Sequence, residues 1–118
     1  MKILSPKVHG VLDYLVVLIF LCAPTALHLS AVPAAISYTL AAVHFLLTLL
    51  TDFPAGALKV VPLKWHGIIE LVVGPVLIAL PFILGWGSEP AAETFYIVVG
   101  AVILLVWFLT DYGLAKKA

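Results

Sequence analysis

Four runs of apolar residues, separated by short polar turns, leave this chain few ways to fold. They extend from about His9 to Leu27, Pro33 to Thr51, His66 to Trp86 and Ala91 to Asp111. Each is near the ~20 residues of helix that cross ~30 Å of hydrocarbon, and a helix satisfies its own backbone polar groups there. Of the 118 residues, 64% are hydrophobic and 10% charged, too little polar surface to coat a water-soluble globule of this size. The expectation is an all-α integral membrane four-helix bundle. One membrane domain, residues 1–118, would be built from two tandem transmembrane hairpins.

The links are a short turn around His28 to Val32, a longer loop from Phe53 to Trp65 holding Pro54, Gly56 and Pro62, and the turn Gly87-Ser88-Glu89-Pro90. Short links make successive helices antiparallel neighbours. All six lysines, Lys2, Lys7, Lys59, Lys64, Lys116 and Lys117, then fall on one side, while the opposite turns carry Glu89 and Glu93 and no lysine. That asymmetry predicts cytoplasmic termini. Trp65, Trp86, Tyr38 and Tyr112 fall near predicted helix ends, where an aromatic ring straddles the polar boundary. A formal net charge of zero argues against nucleic acid as a partner. Lys2 and Lys7 ahead of an apolar stretch imitate a secretory signal, but Pro24 directly follows Ala23 and a matching segment recurs later in the chain. Cys22, the lone cysteine, reads as a small packing residue.

Laid against itself, the chain repeats. Pro6-Lys7-Val8-His9-Gly10-Val11-Leu12-Asp13 matches Pro62-Leu63-Lys64-Trp65-His66-Gly67-Ile68-Ile69-Glu70 with one residue inserted, and Pro24 and Pro81 each follow their histidine by fifteen positions. Phe45 to Phe53, FLLTLLTDF, matches Leu104 to Tyr112, LLVWFLTDY. The repeats cover about 6–56 and 62–115, and the expected arrangement is a pseudo-twofold pair. The His-Gly-x-x-Asp/Glu openings, the Thr-Asp-Phe/Tyr closings and the late proline resemble the SPW-repeat family of small bacterial membrane proteins, although only the proline of each Ser-Pro-Trp is kept. The resemblance covers nearly the whole chain. It implies the same fold and a bacterial inner-membrane location, and it brings no catalytic residues with it.

The repeat gathers His9, Asp13, Asp52, His66, Glu70 and Asp111 toward one membrane face. His9 and Asp13 are spaced i, i+4 and share a helix face, as do His66 and Glu70. Imidazole nitrogen and carboxylate oxygen are ligands that a divalent transition metal accepts, although the order and spacing differ from the Glu-x-x-His of carboxylate-bridged bundles. The competing reading is a hydrogen-bonded network that ties helices together, because ionisable groups near a bilayer must find partners or water. Asp52 and Asp111, at helix C-termini, oppose the helix dipole and call for a cationic or donor partner.

His44 lies within the second apolar run, about two turns before Asp52, and the matching place in the second repeat is apolar. An intramembrane histidine is a candidate functional residue. A bis-histidine haem is disfavoured because the other histidines lie near predicted boundaries, which leaves a hydrogen bond to Thr48, Thr39 or Tyr38 as the expectation. Gly10 and Gly67 let helices approach closely. Pro24, Pro75 and Pro81 are expected to bend their helices or break a backbone hydrogen bond. No nucleophile motif, Gly-rich loop or hydrolase-like acid pair stands out. The leading expectation is therefore a non-catalytic structural or interaction module, with lipid, copies of itself or another membrane protein as partners and no resident cofactor. The alternatives are a metal-binding or redox module at the cytoplasmic face and a subunit of an oligomeric channel or transporter.

Overall fold

The computed structural model describes residues 2–113, so Lys116 and Lys117 lie outside the described residues. Ser5 opens the first helix, α1 (Pro6–Ala26), by accepting a hydrogen bond from the Val8 N–H at 3.3 Å. Pro6 occupies the first turn, where a missing N–H costs nothing. The helix therefore starts three residues ahead of the apolar run. It is followed by α2 (Ala31–Leu50), α3 (Leu63–Ile83) and α4 (Pro90–Leu109). All four are long and apolar enough to cross a membrane.

Pro24, Pro75 and Pro81 all sit within continuous helices. Trp86 does not extend α3 to a boundary position as expected. Gly85, with φ of 71°, turns the chain, and Trp86 then begins a single 3-10 turn, buried with its ring 5.0 Å from that of Tyr96. Cys22 is exposed on the helix surface and is not the packing residue expected of it.

The pairs α1/α2 and α3/α4 form the expected hairpins. In the second, the helices approach most closely at glycines: a Cβ on Gly100 would lie 2.6 Å from the Gly74 carbonyl oxygen. The hairpins meet through a core containing Val16, Val17, Phe20, Ala41, Leu77, Trp86, Tyr96 and Ile103. Tyr96 ties α4 to α2 by donating its hydroxyl to the Pro33 carbonyl at 2.7 Å. Large apolar side chains such as Leu18, Val43, Val72, Val76, Val98 and Phe108 point outward. The molecule is 48 Å in its longest dimension, comparable with the ~40–45 Å of a full bilayer.

At one end the chain forms short strand pairings that the apolar pattern did not announce. Helix α2 stops at Leu50 because Thr51 turns extended (φ −79°, ψ 140°). Thr51 and Asp52, β1, then pair in parallel with Val61 and Pro62, β2, directly ahead of α3. Thr110 turns extended in the same way after α4 (φ −80°, ψ 134°) and bridges to Leu4, ahead of α1. Leu4 N–H donates to the Leu109 carbonyl at 2.9 Å, and Asp111 N–H to the Leu4 carbonyl at 2.8 Å. The second bridge joins the two chain halves, and it sets a threonine from one half beside the opening of a helix in the other.

Candidate metal centre

These pairings place Thr110 against His9 and Thr51 against His66. His9 Nδ1 lies 2.6 Å from Thr110 Oγ1, and His66 Nδ1 lies 2.7 Å from Thr51 Oγ1. Each hydroxyl spends its one proton on the carbonyl four residues earlier, Thr110 on Val106 and Thr51 on Leu47, both at 2.6 Å. Each threonine oxygen must therefore accept from the imidazole, which fixes Nδ1 as N–H in both rings. In a neutral ring, Nε2 is then left with a free lone pair.

Both Nε2 atoms point at carboxylates. His9 Nε2 is 2.8 Å from Glu70 Oε1 and 3.2 Å from Asp13 Oδ2, and His66 Nε2 is 3.0 Å from each of the same two oxygens. Nitrogen and oxygen thus alternate around a closed four-membered ring of atoms. The four residues are buried, His9 and His66 at 0% exposure, Asp13 at 2% and Glu70 at 3%. Asp13 Oδ2 and His66 Nε2 have no hydrogen-bond partner of good geometry.

Lone pairs facing carboxylates at such distances repel unless something positive stands between them. Two solutions exist: protons on the imidazoles, or one cation shared by all four atoms. Neighbouring donor atoms 2.8–3.2 Å apart are close enough together for one ion to touch all four, with a small pucker of the ring giving the tetrahedral geometry and ~2.0–2.2 Å bonds that zinc prefers. The four ligand atoms lie within 4.8 Å of one another. The threonines stand where an outer partner would set the tautomer and orientation of a histidine that ligated a metal.

Two aromatic rings cover the centre from the chain-terminal end. Phe53, 3% exposed, has its ring centroid 5.6 Å from that of His66 and 6.3 Å from that of His9. Tyr112 stands 6.0 Å from His9. Gly10 and Gly67 make room for these rings and not, as expected, for a neighbouring helix: a Cβ on Gly10 would meet the Phe53 ring at 3.1 Å and collide with Ala55, and one on Gly67 would lie 2.9 Å from the Tyr112 ring. Burial, reinforced by the negative field of Glu70 and Asp13, holds the Tyr112 hydroxyl above its ordinary pKa.

Of the six residues expected to converge, His9, Asp13, His66 and Glu70 meet, and Asp52 and Asp111 do not. Asp52 is exposed, and Asp111 is half-buried and accepts the Gly113 N–H at 3.0 Å. The reason is local. After the helix ends, Thr51, Asp52 and Phe53 alternate buried, exposed, buried, as successive residues of an extended chain do. The threonine and the aromatic therefore turn in and the acid turns out. The expectation for His44 is also corrected: Thr48 donates to the backbone carbonyl of His44 and Thr39 to that of Ala35, while the His44 ring faces Asp13.

No family model, curated protein or solved structure matches the chain.

Proposed function

We propose that this chain is a multi-pass protein of the bacterial inner membrane, a member of the SPW-repeat family, that holds one divalent transition-metal ion between its two hairpins. The observation that carries the reading is the ring of two threonine-locked histidines and two carboxylates, whose lone pairs all converge. One ion of charge +2 with two carboxylates and two neutral imidazoles gives a neutral centre, the state a low-dielectric interior tolerates best. Two nitrogens and two oxygens suit Zn²⁺, Fe²⁺ or Mn²⁺ better than Mg²⁺ or Ca²⁺. Lys2, Lys7, Lys59 and Lys64 belong to the end that carries the centre, and Glu89 and Glu93 to the other. That distribution supports a cytoplasmic position for the centre and for both termini. The outward apolar side chains support lipid, a second copy or another membrane protein as the surroundings.

A second reading, the structural module, draws on the 2.8 Å separation of His9 and Glu70, ordinary for a charge-assisted hydrogen bond. Two imidazolium rings and two carboxylates would also balance charge and tie the hairpins together without metal. Elemental analysis of protein purified in mild detergent without a metal-affinity tag, beside an Asp13→Ala, Glu70→Ala double variant, separates the two. The expected result is close to one ion per chain, lost in the variant. Wild-type protein that retains no ion after loading with Zn²⁺, Fe²⁺ or Mn²⁺, together with a destabilised variant, would overturn the metal reading in favour of the network.

A further inference from the structure

The centre has a fifth polar neighbour that only one half of the chain supplies. His44, on α2, places Nε2 3.6 Å from Asp13 Oδ1, the carboxylate oxygen that faces away from the ring. Its side chain is 12% exposed, and Nε2 is buried with no hydrogen-bond partner. The position follows from helix geometry. Asp13 lies seven residues past the first residue of α1 and His44 seven residues before Thr51, so at 1.5 Å per residue both sit ~10 Å in from the same end.

The tautomer logic that makes His9 and His66 ligands gives His44 a different role. Its Nε2 faces a carboxylate oxygen and no threonine claims its other nitrogen, so Nε2 is the atom that carries the proton. A protonated nitrogen donates and does not ligate a metal. Resting on the metal reading above, we propose that His44 is a positioning residue: it donates Nε2–H to Asp13 Oδ1 and so holds Oδ2 toward the ion. At 3.6 Å the contact is open, and a bound ion that drew Asp13 inward would let it close to hydrogen-bond length. Ligating carboxylates are held in this way by outer hydrogen bonds, whose loss typically costs 10–100-fold in affinity. In the second half, Ile103, 4% exposed, stands at the place matching His44, so no imidazole holds Glu70 from α4. Asp13 is then the carboxylate held from outside the ring by an imidazole, and Glu70 the one without such a holder.

The test uses Co²⁺ affinity and the nitrogen couplings of bound Cu²⁺ in the full chain in detergent, with monodispersity as the check on folding. His44→Ile, which installs the residue type of the other half, is expected to weaken Co²⁺ binding ~10–100-fold. His44→Gln, whose amide N–H can still reach Asp13, is expected to recover most of that loss, and it keeps the test open if the isoleucine variant does not fold. All three proteins should show two coupled imidazole nitrogens. Unchanged Co²⁺ affinity in His44→Ile, or no recovery in His44→Gln, would overturn the positioning role. A third nitrogen in the wild type that disappears in His44→Ile would also overturn it, by making His44 a direct ligand. Wild-type protein that binds neither Co²⁺ nor Cu²⁺ would instead fail the parent reading, and this inference with it.

Discussion

In the first half of the chain an aspartate faces the centre with a histidine behind it; in the second a glutamate faces it, and Ile103 stands where that histidine would be. Around this difference the halves agree closely. Each contributes one histidine from the first turns of a helix, one acid a turn later, and one threonine that crosses to the other half's imidazole. The shared elements are those needed to close a ring of four donors. The unshared ones, His44 against Ile103 and Phe53 against Tyr112, lie in the shell around it. Packing also differs: the Gly74 and Gly100 contact of the second hairpin is matched in the first by Val17 and Ala41, both buried. The halves thus agree at the ring and differ one layer out, among groups that touch the ring residues without belonging to the ring.

The sharpest way to break this comparison is to remove the shared histidines one at a time. His9→Ala and His66→Ala should each abolish retention of the ion, a larger loss than the ~100-fold upper range for outer-shell groups, and the two losses should be equal. Co²⁺ titration of the purified variants reads this directly. If one variant bound normally, the centre would belong to a single half and the four-donor ring would be wrong.

Thr51→Val and Thr110→Val come next. Each keeps the β-branched shape and the extended turn but removes the acceptor that holds Nδ1–H, so the ring loses its fixed tautomer and orientation. Each is expected to weaken Co²⁺ binding ~10–100-fold, again equally. An effect confined to one threonine would show that only one histidine depends on its crossing partner.

The His-Gly openings and the apolar runs made the helices, the hairpins and four of the centre's residues legible in advance, because an i, i+4 pair repeated in two halves has few other ways to bury its polar atoms. What escaped was the geometry after the helices end. The repeat brings Asp52 and Asp111, at the helix ends, to the same membrane face as the other four, and nothing in the apolar pattern says which way they turn. The extended turn at Thr51 and Thr110 instead gives the inward place to the hydroxyl one residue earlier. The signal was present in the paired Thr-Asp-Phe/Tyr closings, whose threonine recurs as faithfully as its acid. His44 stands out in the sequence as an intramembrane histidine, but its partner does not: an apolar run that begins at His9 puts Asp13 near the boundary, whereas the Ser5 cap moves the helix start back to Pro6 and brings Asp13 to the depth of His44.

The smallest expected effect concerns the aromatic cover, where Phe53 and Tyr112 differ by one hydroxyl. The Tyr112 oxygen is buried without a hydrogen-bond partner among the described residues, since Thr110 Oγ1 is already committed to Val106 and His9. An unpartnered buried hydroxyl is a cost to folding, so Tyr112→Phe, which makes the two covers alike, should be neutral or stabilising by up to ~1 kcal/mol at pH 7. The pH dependence gives the sign. The hydroxyl's pKa is raised in the folded chain, chiefly by burial, while in the unfolded chain it ionises near ~10. Below that value both states keep the proton. Above it the unfolded state sheds the proton first, so stability is lost as pH rises through the window up to the folded value. The phenylalanine variant lacks this loss, and its advantage in thermal unfolding should widen above pH ~10. Parallel pH profiles for the two proteins would mean that the phenol reaches water, and that the second half's cover is as open as its carboxylate is free.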